Sequence, residues 1–281
     1  MYPENLGERL SIDETSLSHG ELYTIVTNKA AKGKKGAIVE IVAATKAENV
    51  IEVLQKIPER QRKKVIEITL DMAGNMELIA KRCFRSAVRV TDRFHVQKLA
   101  TEALQEMRIK HRWEALDAEN EAIGAARKQK MTFRAEVLSN GDTLKQLLAR
   151  SRYVLYKKPN NWSEDQKERA NLLFAHYPDL HQAYNLSMNL SSIFEKTTDK
   201  MYGLARLARW HESVRQSGFK AFNTISRSIK YHYQTILNYF DNRSTNASAE
   251  SFNAKIKAFR SQFRGVRSVE FFLFRLTQLY A

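Results

Sequence analysis

Residues 65–95 constrain the fold of this chain more than any other stretch, because their pattern predicts a strand, a helix and a second strand in succession. Apolar and polar residues alternate over 65–70 with the two-residue period of a half-buried strand. After a turn, helical spacing covers 76–84, and 87–91 predicts the second strand. Two strands joined through a helix are expected to lie parallel in one sheet.

Each of these two strands ends in an aspartate, Asp71 or Asp92. Open parallel sheets place chemistry at the carboxyl ends of their strands, so both side chains are candidates for a functional site. A third aspartate, Asp13, lies on the polar face of a short predicted strand at 10–15.

The order of the remaining elements predicts the topology of the sheet. Further strands are predicted at 21–28 and 36–44, and a helix at 47–57. The resulting order, β-β-β-α-β-α-β, indicates an α/β fold with a ribonuclease H-like mixed sheet. Its first and fourth strands are neighbours about 4.8 Å apart, so Asp13 and Asp71 are expected to face each other.

The chain changes character after residue 95, where long amphipathic segments replace the strands. We predict an all-helical insertion domain over 96–240, between the first part of the α/β core at 1–95 and its final helices at 241–281. The predicted helices are at 93–138, 142–151, 163–175, 179–217 with a break near Thr197, and 219–240.

A final amphipathic helix is predicted to begin near Asn246 and to carry two different stripes. The apolar stripe is expected to be buried and consists of Phe252, Ile256, Phe259 and Phe263. A polar stripe lies about 100° away on the helix surface. It places Glu250 beside the core, followed by an amide and three bases: Asn253, Lys257, Arg260 and Arg264.

The net charge indicates a polyanionic partner. Lysine and arginine number 46 against 31 acidic residues, which gives a net charge of +15. Nucleic acid is the partner that such an excess favours, and the alternative is a basic surface that only contacts solvent.

The lone cysteine and the lack of long apolar runs argue against several classes of protein. Cys83 excludes an internal disulfide and a cysteine-rich zinc site. No apolar run approaches the length of a membrane span, and the first residues lack the apolar core of a signal peptide. We therefore expect a cytoplasmic protein.

Three acids share similar predicted settings, namely Asp13 and Asp71 at strand ends and Glu250 on a helix that can pack across the sheet. Carboxylates within 4 Å of each other repel by about 4 kcal/mol at an effective dielectric constant of 20. Two Mg²⁺ ions offset that repulsion and assist in-line phosphoryl displacement, so the set suggests phosphodiester chemistry. The alternative is two turn-capping aspartates and one solvated glutamate.

Four runs of sequence together resemble the DDE transposases of bacterial insertion sequences, specifically the ISL-three (ISL3) family. They are SIDETSLSHGELYTIVTN, VIEITLDMAGNM, VTDRFHVQKLATEALQEMR and TNASAESFNAKIKAFRSQFRGVRSVEFFLFRL, and the likeness covers nearly the whole chain. The resemblance implies a ribonuclease H-like catalytic core with a helical insertion before the catalytic glutamate. It also implies metal-dependent cleavage and joining of DNA strands.

By position in these motifs, Asp13, Asp71 and Glu250 resemble the first, second and third catalytic acids, which hold Mg²⁺ in the family, with Mn²⁺ as a substitute. Asp92 competes with Asp71 for the second role, and we favour Asp71 because the second acid belongs after the fourth strand. Asp92 and His95 instead resemble the C/D-x-x-H motif that lies beside the metal site in related enzymes. The alternative for this pair is a structural hydrogen bond.

Other polar and aromatic residues are weaker candidates for contacts with DNA. Trp210 is a candidate for stacking on a splayed base, with core packing as the alternative. A solvated basic face is the alternative for the candidate phosphate-binding residues, which are Asn253, Lys255, Lys257, Arg260 and Arg264.

The resemblance thus predicts a transposase acting on transposon ends and target DNA, as a homo-oligomer. Family members usually carry zinc-binding and helix-turn-helix segments ahead of the first acid, whereas Asp13 is near the start of this sequence. We therefore expect a separate amino-terminal segment to recognise the terminal repeats. Two other hypotheses are a catalytically inactive remnant that binds DNA or assists assembly, and a stand-alone ribonuclease H or resolvase, which the long insertion disfavours.

Overall fold

A computed structural model describes residues 1–16, 21–263, 265 and 268–281. The described chain divides into two compact units. The first comprises Met1–Val96 and His232–Ala281, and the second comprises Gln97–Tyr231. The sequence-based division at residues 95 and 240 stays a prediction.

The described residues of the first unit contain one sheet of five strands in the order β3-β2-β1-β4-β5. β1 pairs antiparallel with β2 and parallel with β4, and β4 pairs parallel with β5. This confirms the α/β class and the ribonuclease H-like arrangement. The strands are β1 (Arg9–Ser16), β2 (Leu22–Asn28), β3 (Ile38–Val42), β4 (Glu67–Leu70) and β5 (Val88–Thr91).

One face of the sheet packs against the helices that connect the parallel strands. These helices are α1 (Ala47–Gln55) and α3 (Gly74–Cys83), and the short α2 (Glu59–Arg62) between them has no buried residue. Leu10, Ile12 and Ile68 of the sheet are fully buried in one cluster with Val50 and Leu54 of α1. Because side chains alternate along a strand, Ser11 and Asp13 of β1 therefore face the opposite side of the sheet.

The opposite face is covered by the last two helices, α12 (Ala247–Gln262) and α13 (Val269–Tyr280). Phe252 and Ile256 of α12 are buried against Tyr23 and Ile25 of β2. The predicted apolar stripe therefore packs on the sheet. This contact fixes α12 above the strands that carry the aspartates.

Helices form the second unit, with α4 starting in the first. They are α4 (Arg93–Lys128), α5 (Leu144–Arg150), α6 (Glu164–His176), α7 (Pro178–Lys196), α8 (Lys200–Ser217) and α9 (Lys220–Tyr231). The predicted break near Thr197 is present, and the side chain of Asp199 caps α8 by accepting from the Tyr202 N–H. Within the described ranges, no helix combines the length and apolar character that a bilayer crossing requires.

The prediction of one helix over 93–138 was too long, because α4 ends at Lys128. The Met131 N–H donates to the Ala126 carbonyl and the Lys130 N–H to the Arg127 carbonyl, which is the Schellman pattern of a helix end. Lys130 has a φ of 56° there. Glycine or asparagine usually marks that position, so the sequence carried no signal for the end.

The prediction of one helix over 219–240 also needs correction. After α9 the chain forms two short helices in the first unit, α10 (Tyr233–Leu237) and α11 (Tyr239–Asn242). The Thr235 hydroxyl donates to the His232 carbonyl, and the Asn238 side chain donates to the Arg89 carbonyl. The second of these bonds ties the chain between α10 and α11 to β5, a tertiary contact that helical spacing does not encode.

We predict that Phe252→Ala lowers the free energy of unfolding by about 3–5 kcal/mol, because it leaves a cavity between α12 and the sheet. Phe252 is 1% exposed. Urea denaturation followed by circular dichroism measures the change. Phe274→Ala is the matched control, since Phe274 is 57% exposed and its loss should cost less than about 0.5 kcal/mol. Equal losses in both variants would contradict the packing of α12 described above.

Candidate active site

The sheet register brings Asp13 and Asp71 to the same level. β1 and β4 are parallel, with Ser11 opposite Thr69. Asp13 and Asp71 each lie two residues beyond this pair, so they are level with each other on neighbouring strands. This level placement is the arrangement expected from the sequence. β1 continues to Ser16, so Asp13 lies within the strand and not at its end as predicted, whereas Asp71 directly follows β4.

Asp92 extends this row to a third strand. β4 and β5 are parallel, with Leu70 opposite Thr91, and the next residues are Asp71 and Asp92. Three aspartates therefore follow one another across β1, β4 and β5. The row combines the three aspartates that the sequence identified as candidates.

Asp13 is held by two hydrogen bonds. Its Oδ1 accepts from the Glu14 N–H at 2.9 Å, and its Oδ2 accepts from Asn253 Nδ2 of α12 at 2.7 Å. Burial raises the pKa of Asp13, and the nearby carboxylates of Asp71 and Asp92 act in the same direction. Negative charge is thus concentrated at this end of the sheet.

Asp71 lies in the turn between β4 and α3. Its Oδ1 accepts from the Ala73 N–H at 2.9 Å, which closes a local turn and fixes the carboxylate. Its charge raises the pKa values of both Asp13 and His95. Asp71 is therefore close enough to act on the same site as these two residues.

Glu250 approaches the row from α12. Its backbone N–H donates to the Asn246 carbonyl, and the Asn246 side chain accepts a hydrogen bond from Ser11 of β1. Burial raises the pKa of Glu250, and the charge of Asp92 adds to the rise. The helix thus places a fourth carboxylate beside the aspartates.

Asp92, His95 and Glu250 form the tightest cluster. They offer ligand atoms that lie within 4.8 Å of one another. Asp92 is 1% exposed, and His95 Nδ1 lies 3.5 Å from Asp92 Oδ2, beyond the usual hydrogen-bond distance. Interaction with Asp92 raises the pKa of His95 despite burial, so the imidazolium form is favoured beside this acid.

The orphaned atoms of this cluster fit a bound cation. Among the described residues, neither carboxylate oxygen of Asp92, nor Oε1 of Glu250, nor His95 Nδ1 has a hydrogen-bond partner. Buried polar atoms without partners are costly, and a divalent cation satisfies carboxylate oxygens in such a place. The carboxylates match hard cations such as Mg²⁺ or Mn²⁺.

The candidate DNA-binding residues have different surroundings. Asn253 donates to Asp13, and Lys255 donates to the Gly33 carbonyl at 3.1 Å. Lys257 is exposed, and the Arg260 guanidinium lies 5.1 Å from the centre of the Phe272 ring. Arg264 lies outside the described residues.

Trp210, considered for base stacking, is 3% exposed, and its Nε1 donates to the Leu186 carbonyl. This buried position with a satisfied N–H corresponds to core packing, the alternative weighed from the sequence.

A buried ion pair beneath the site was missed by sequence reasoning. Lys29 Nζ lies 3.4 Å from Glu67 Oε1 and donates to Thr69 Oγ1 at 2.7 Å and to Ser244 Oγ at 2.5 Å. Asn242 also donates to Glu67, at 3.3 Å. These contacts join β2 and β4 to the segment that leads into α12.

Asn246 was also missed, although a signal was present. It precedes Glu250 by four residues and therefore lies on the same helix face. For Lys29, no local spacing indicates its distant partners.

Comparison with known proteins gives a consistent result. A family model described as a transposase matches residues 10–276. Two curated relatives, from the CDC 1551 and H37Rv strains of Mycobacterium tuberculosis, are each named transposase for insertion sequence element IS1557. Each is 27% identical over 197 residues, covering 68% of this chain and 42% of the relative. The matched region thus spans less than half the length of these relatives.

We predict opposite effects of Asp92→Asn on thermal stability without and with metal. In the presence of a chelator the variant should have a higher melting temperature than the wild type, because the substitution removes a buried charge beside Glu250. With Mg²⁺ or Mn²⁺ at about 100 times the Kd, the free energy of unfolding of the wild type should rise by about 2.7 kcal/mol, and that of the variant should rise by less. Differential scanning fluorimetry measures both effects.

Asp117→Asn is the control for this experiment, because Asp117 is an exposed acid of the second unit. It should leave both melting temperatures unchanged. A metal-dependent rise in Asp92→Asn as large as that of the wild type would contradict a role for Asp92 in binding the cation.

Proposed function

The chain belongs to the ISL3 family of DDE transposases, and on that premise we propose that it cleaves DNA at insertion-sequence ends and transfers the freed strand to target DNA. The observation that carries this proposal is the convergence of Asp13, Asp71, Asp92 and Glu250 from adjacent strands and one helix. The pKa values of Asp13 and Glu250 are raised by burial and by neighbouring carboxylates, and a bound cation would relieve both effects.

Asp13, Asp71 and Glu250 are the proposed ligands of two Mg²⁺ ions, for which Mn²⁺ can substitute, and Asp92 is a further candidate ligand. Once bound there, such ions would activate the attacking oxygen and stabilise the leaving oxygen. The nucleophile is water in the cleavage step and the liberated 3′-hydroxyl in strand transfer.

The polar neighbours orient this set. Asn253 and the Glu14 N–H each occupy one oxygen of Asp13, which fixes the plane of the carboxylate while leaving a lone pair on each oxygen. His95 in its imidazolium form reduces the repulsion between Asp92 and Glu250. The site is therefore organised before substrate binds, which lowers the cost of reaching the transition state.

The partner in this proposal is DNA, both transposon ends and target. The net charge of +15 supports it, since phosphate neutralisation supplies most non-specific affinity. Exposed Lys255 and Lys257 lie on the same helix as Glu250 and are proposed to orient the backbone. A homo-oligomer on DNA, a separate amino-terminal recognition segment and a cytoplasmic, nucleoid-associated location belong to the same proposal.

We predict that the purified chain nicks a labelled duplex carrying its element end when Mg²⁺ or Mn²⁺ is present. Asp13→Ala, Asp71→Ala and Glu250→Ala should each lower the rate roughly 1000-fold, the equivalent of about 4 kcal/mol of transition-state stabilisation. Gel electrophoresis of the cleaved strand measures the rate, and Asp117→Ala is the control that should match the wild type.

The same experiment separates the alternatives. If Asp92→Ala abolishes cleavage while Asp71→Ala retains it, Asp92 is the second acid. If the wild type binds the duplex but never cuts it with either metal, the inactive, DNA-binding remnant replaces the proposed enzyme.

A second prediction concerns Asn253, which the sequence suggested as a phosphate contact and which here donates to Asp13. If it orients Asp13, Asn253→Ala should lower kcat about tenfold while leaving the salt dependence of DNA binding unchanged. Cleavage kinetics and fluorescence anisotropy measure the two quantities. A fall of about 0.9 in the slope of log K against log salt would instead indicate a lost phosphate contact.

A further inference from the structure

Helix α8 of the second unit is exposed to solvent along most of its length. Its buried residues form one narrow stripe of Gly203, Leu207, Trp210 and Val214. Most of the remaining surface of the helix is exposed. The exposed side carries two small residues, Ala205 and Ala208, and longer polar side chains such as Arg209 and Glu212.

A basic cavity of about 320 Å³ lies on the side of α8 that faces α7, and we call it the α7–α8 cavity. Three cations line it, Lys196, Arg206 and Arg209, and its described lining includes no carboxylate. Asn189, Ser192 and Ser213 add polar side chains of the kinds that contact phosphate oxygens. The chemistry of the α7–α8 cavity is therefore that of an anion site.

A second cavity, of about 450 Å³, lies on the other side of α8, and we call it the α8–α9 cavity. Its one described acid, Glu212, accepts two hydrogen bonds from Arg215, at 2.8 and 2.6 Å, so these two charges compensate each other. Arg227 and Lys230 of α9 then remain as excess positive charge. Asn223 lies on the same face of α9 and adds a hydrogen-bond donor.

Histidine at this second cavity stays neutral at physiological pH. Burial and the charge of Lys230 lower the pKa of His211 to about 4. Its Nδ1 pairs with the Ser226 hydroxyl at 2.7 Å. The anion-binding character of the α8–α9 cavity therefore comes from Arg227 and Lys230 and does not depend on protonation of His211.

The spacing of the two cavities fits duplex DNA. They flank one α-helix, whose diameter with side chains is about 10–12 Å, and the major groove of B-DNA is about 12 Å wide. We propose that α8 lies along a groove of duplex DNA, with backbone phosphates of the two strands seated in the α7–α8 and α8–α9 cavities. This inference rests on the proposed DNA substrate and assigns it a second contact surface, formed within the helical unit.

Two charge-neutralising pairs test the proposal in the full chain. Lys196→Gln with Arg209→Gln alters the α7–α8 cavity, and Arg227→Gln with Lys230→Gln alters the α8–α9 cavity. Anisotropy titration of a labelled 30-base-pair duplex at several salt concentrations gives the slope of log K against log salt. Each pair should reduce that slope by about 1 to 2, because each lost phosphate contact contributes about 0.9.

Arg127→Gln with Lys128→Gln is the matched control, since it removes two exposed charges at the end of α4 in the same unit. It should leave the slope within about 0.3 of the wild type if the cavities supply the contacts. Lys196→Arg with Arg209→Lys keeps the charge and should retain the wild-type slope, which separates charge from folding defects. Inorganic phosphate at matched ionic strength should leave duplex binding unchanged.

Several outcomes would overturn the proposal. An equal fall in the control pair would indicate diffuse attraction, and an effect of only one cavity pair would exclude phosphates on both sides of α8. Strong competition by inorganic phosphate would indicate small-anion sites. DNA cleavage is measured separately. A wild type that binds DNA through these cavities without cutting it would refute the proposed enzymatic activity but not the proposed DNA-binding surface.

Discussion

The parallel pairing of β1, β4 and β5 is the constraint on which the rest of the first unit depends. The register of these parallel pairs brings Asp13, Asp71 and Asp92 level through hydrogen bonds between backbones, whatever their own charges. The connecting helices α1 and α3 bury the opposite face and make this register stable. Acidic side chains are thereby held together although they repel one another.

Other contacts offset that repulsion by tying α12 to the sheet. Phe252 and Ile256 bury the apolar stripe, and the Lys29–Glu67 pair links the sheet to the chain entering the helix. Asn253 and Asn246 connect the polar stripe to β1. Burial lowers the pKa of Lys29, and its interaction with Glu67 opposes that shift. The site thus holds mutually repelling carboxylates in a rigid framework, an arrangement typical of catalytic centres.

The two units use positive charge differently. In the first unit, bases near the site are engaged by the protein itself, as with Lys255 and the Gly33 carbonyl. In the second unit, Arg209 and Lys230 line cavities on either side of an exposed helix. In the proposals above, the helical unit thus adds a second DNA-binding surface to the one beside the acidic site.

The sequence by itself determined the strands, their order and the faces of α12, because alternation and helical spacing depend only on neighbouring residues. It also identified the acids that these strands carry. Only the tertiary structure decided that α4 ends at Lys128, that the Asp92–His95 pair lies with Glu250, and that Asn253 bonds to Asp13. Asn253 and Asp13 are 240 residues apart, and no local pattern encodes such a contact. Packing of α12 on the sheet creates it, because burial of apolar side chains sets which polar groups meet.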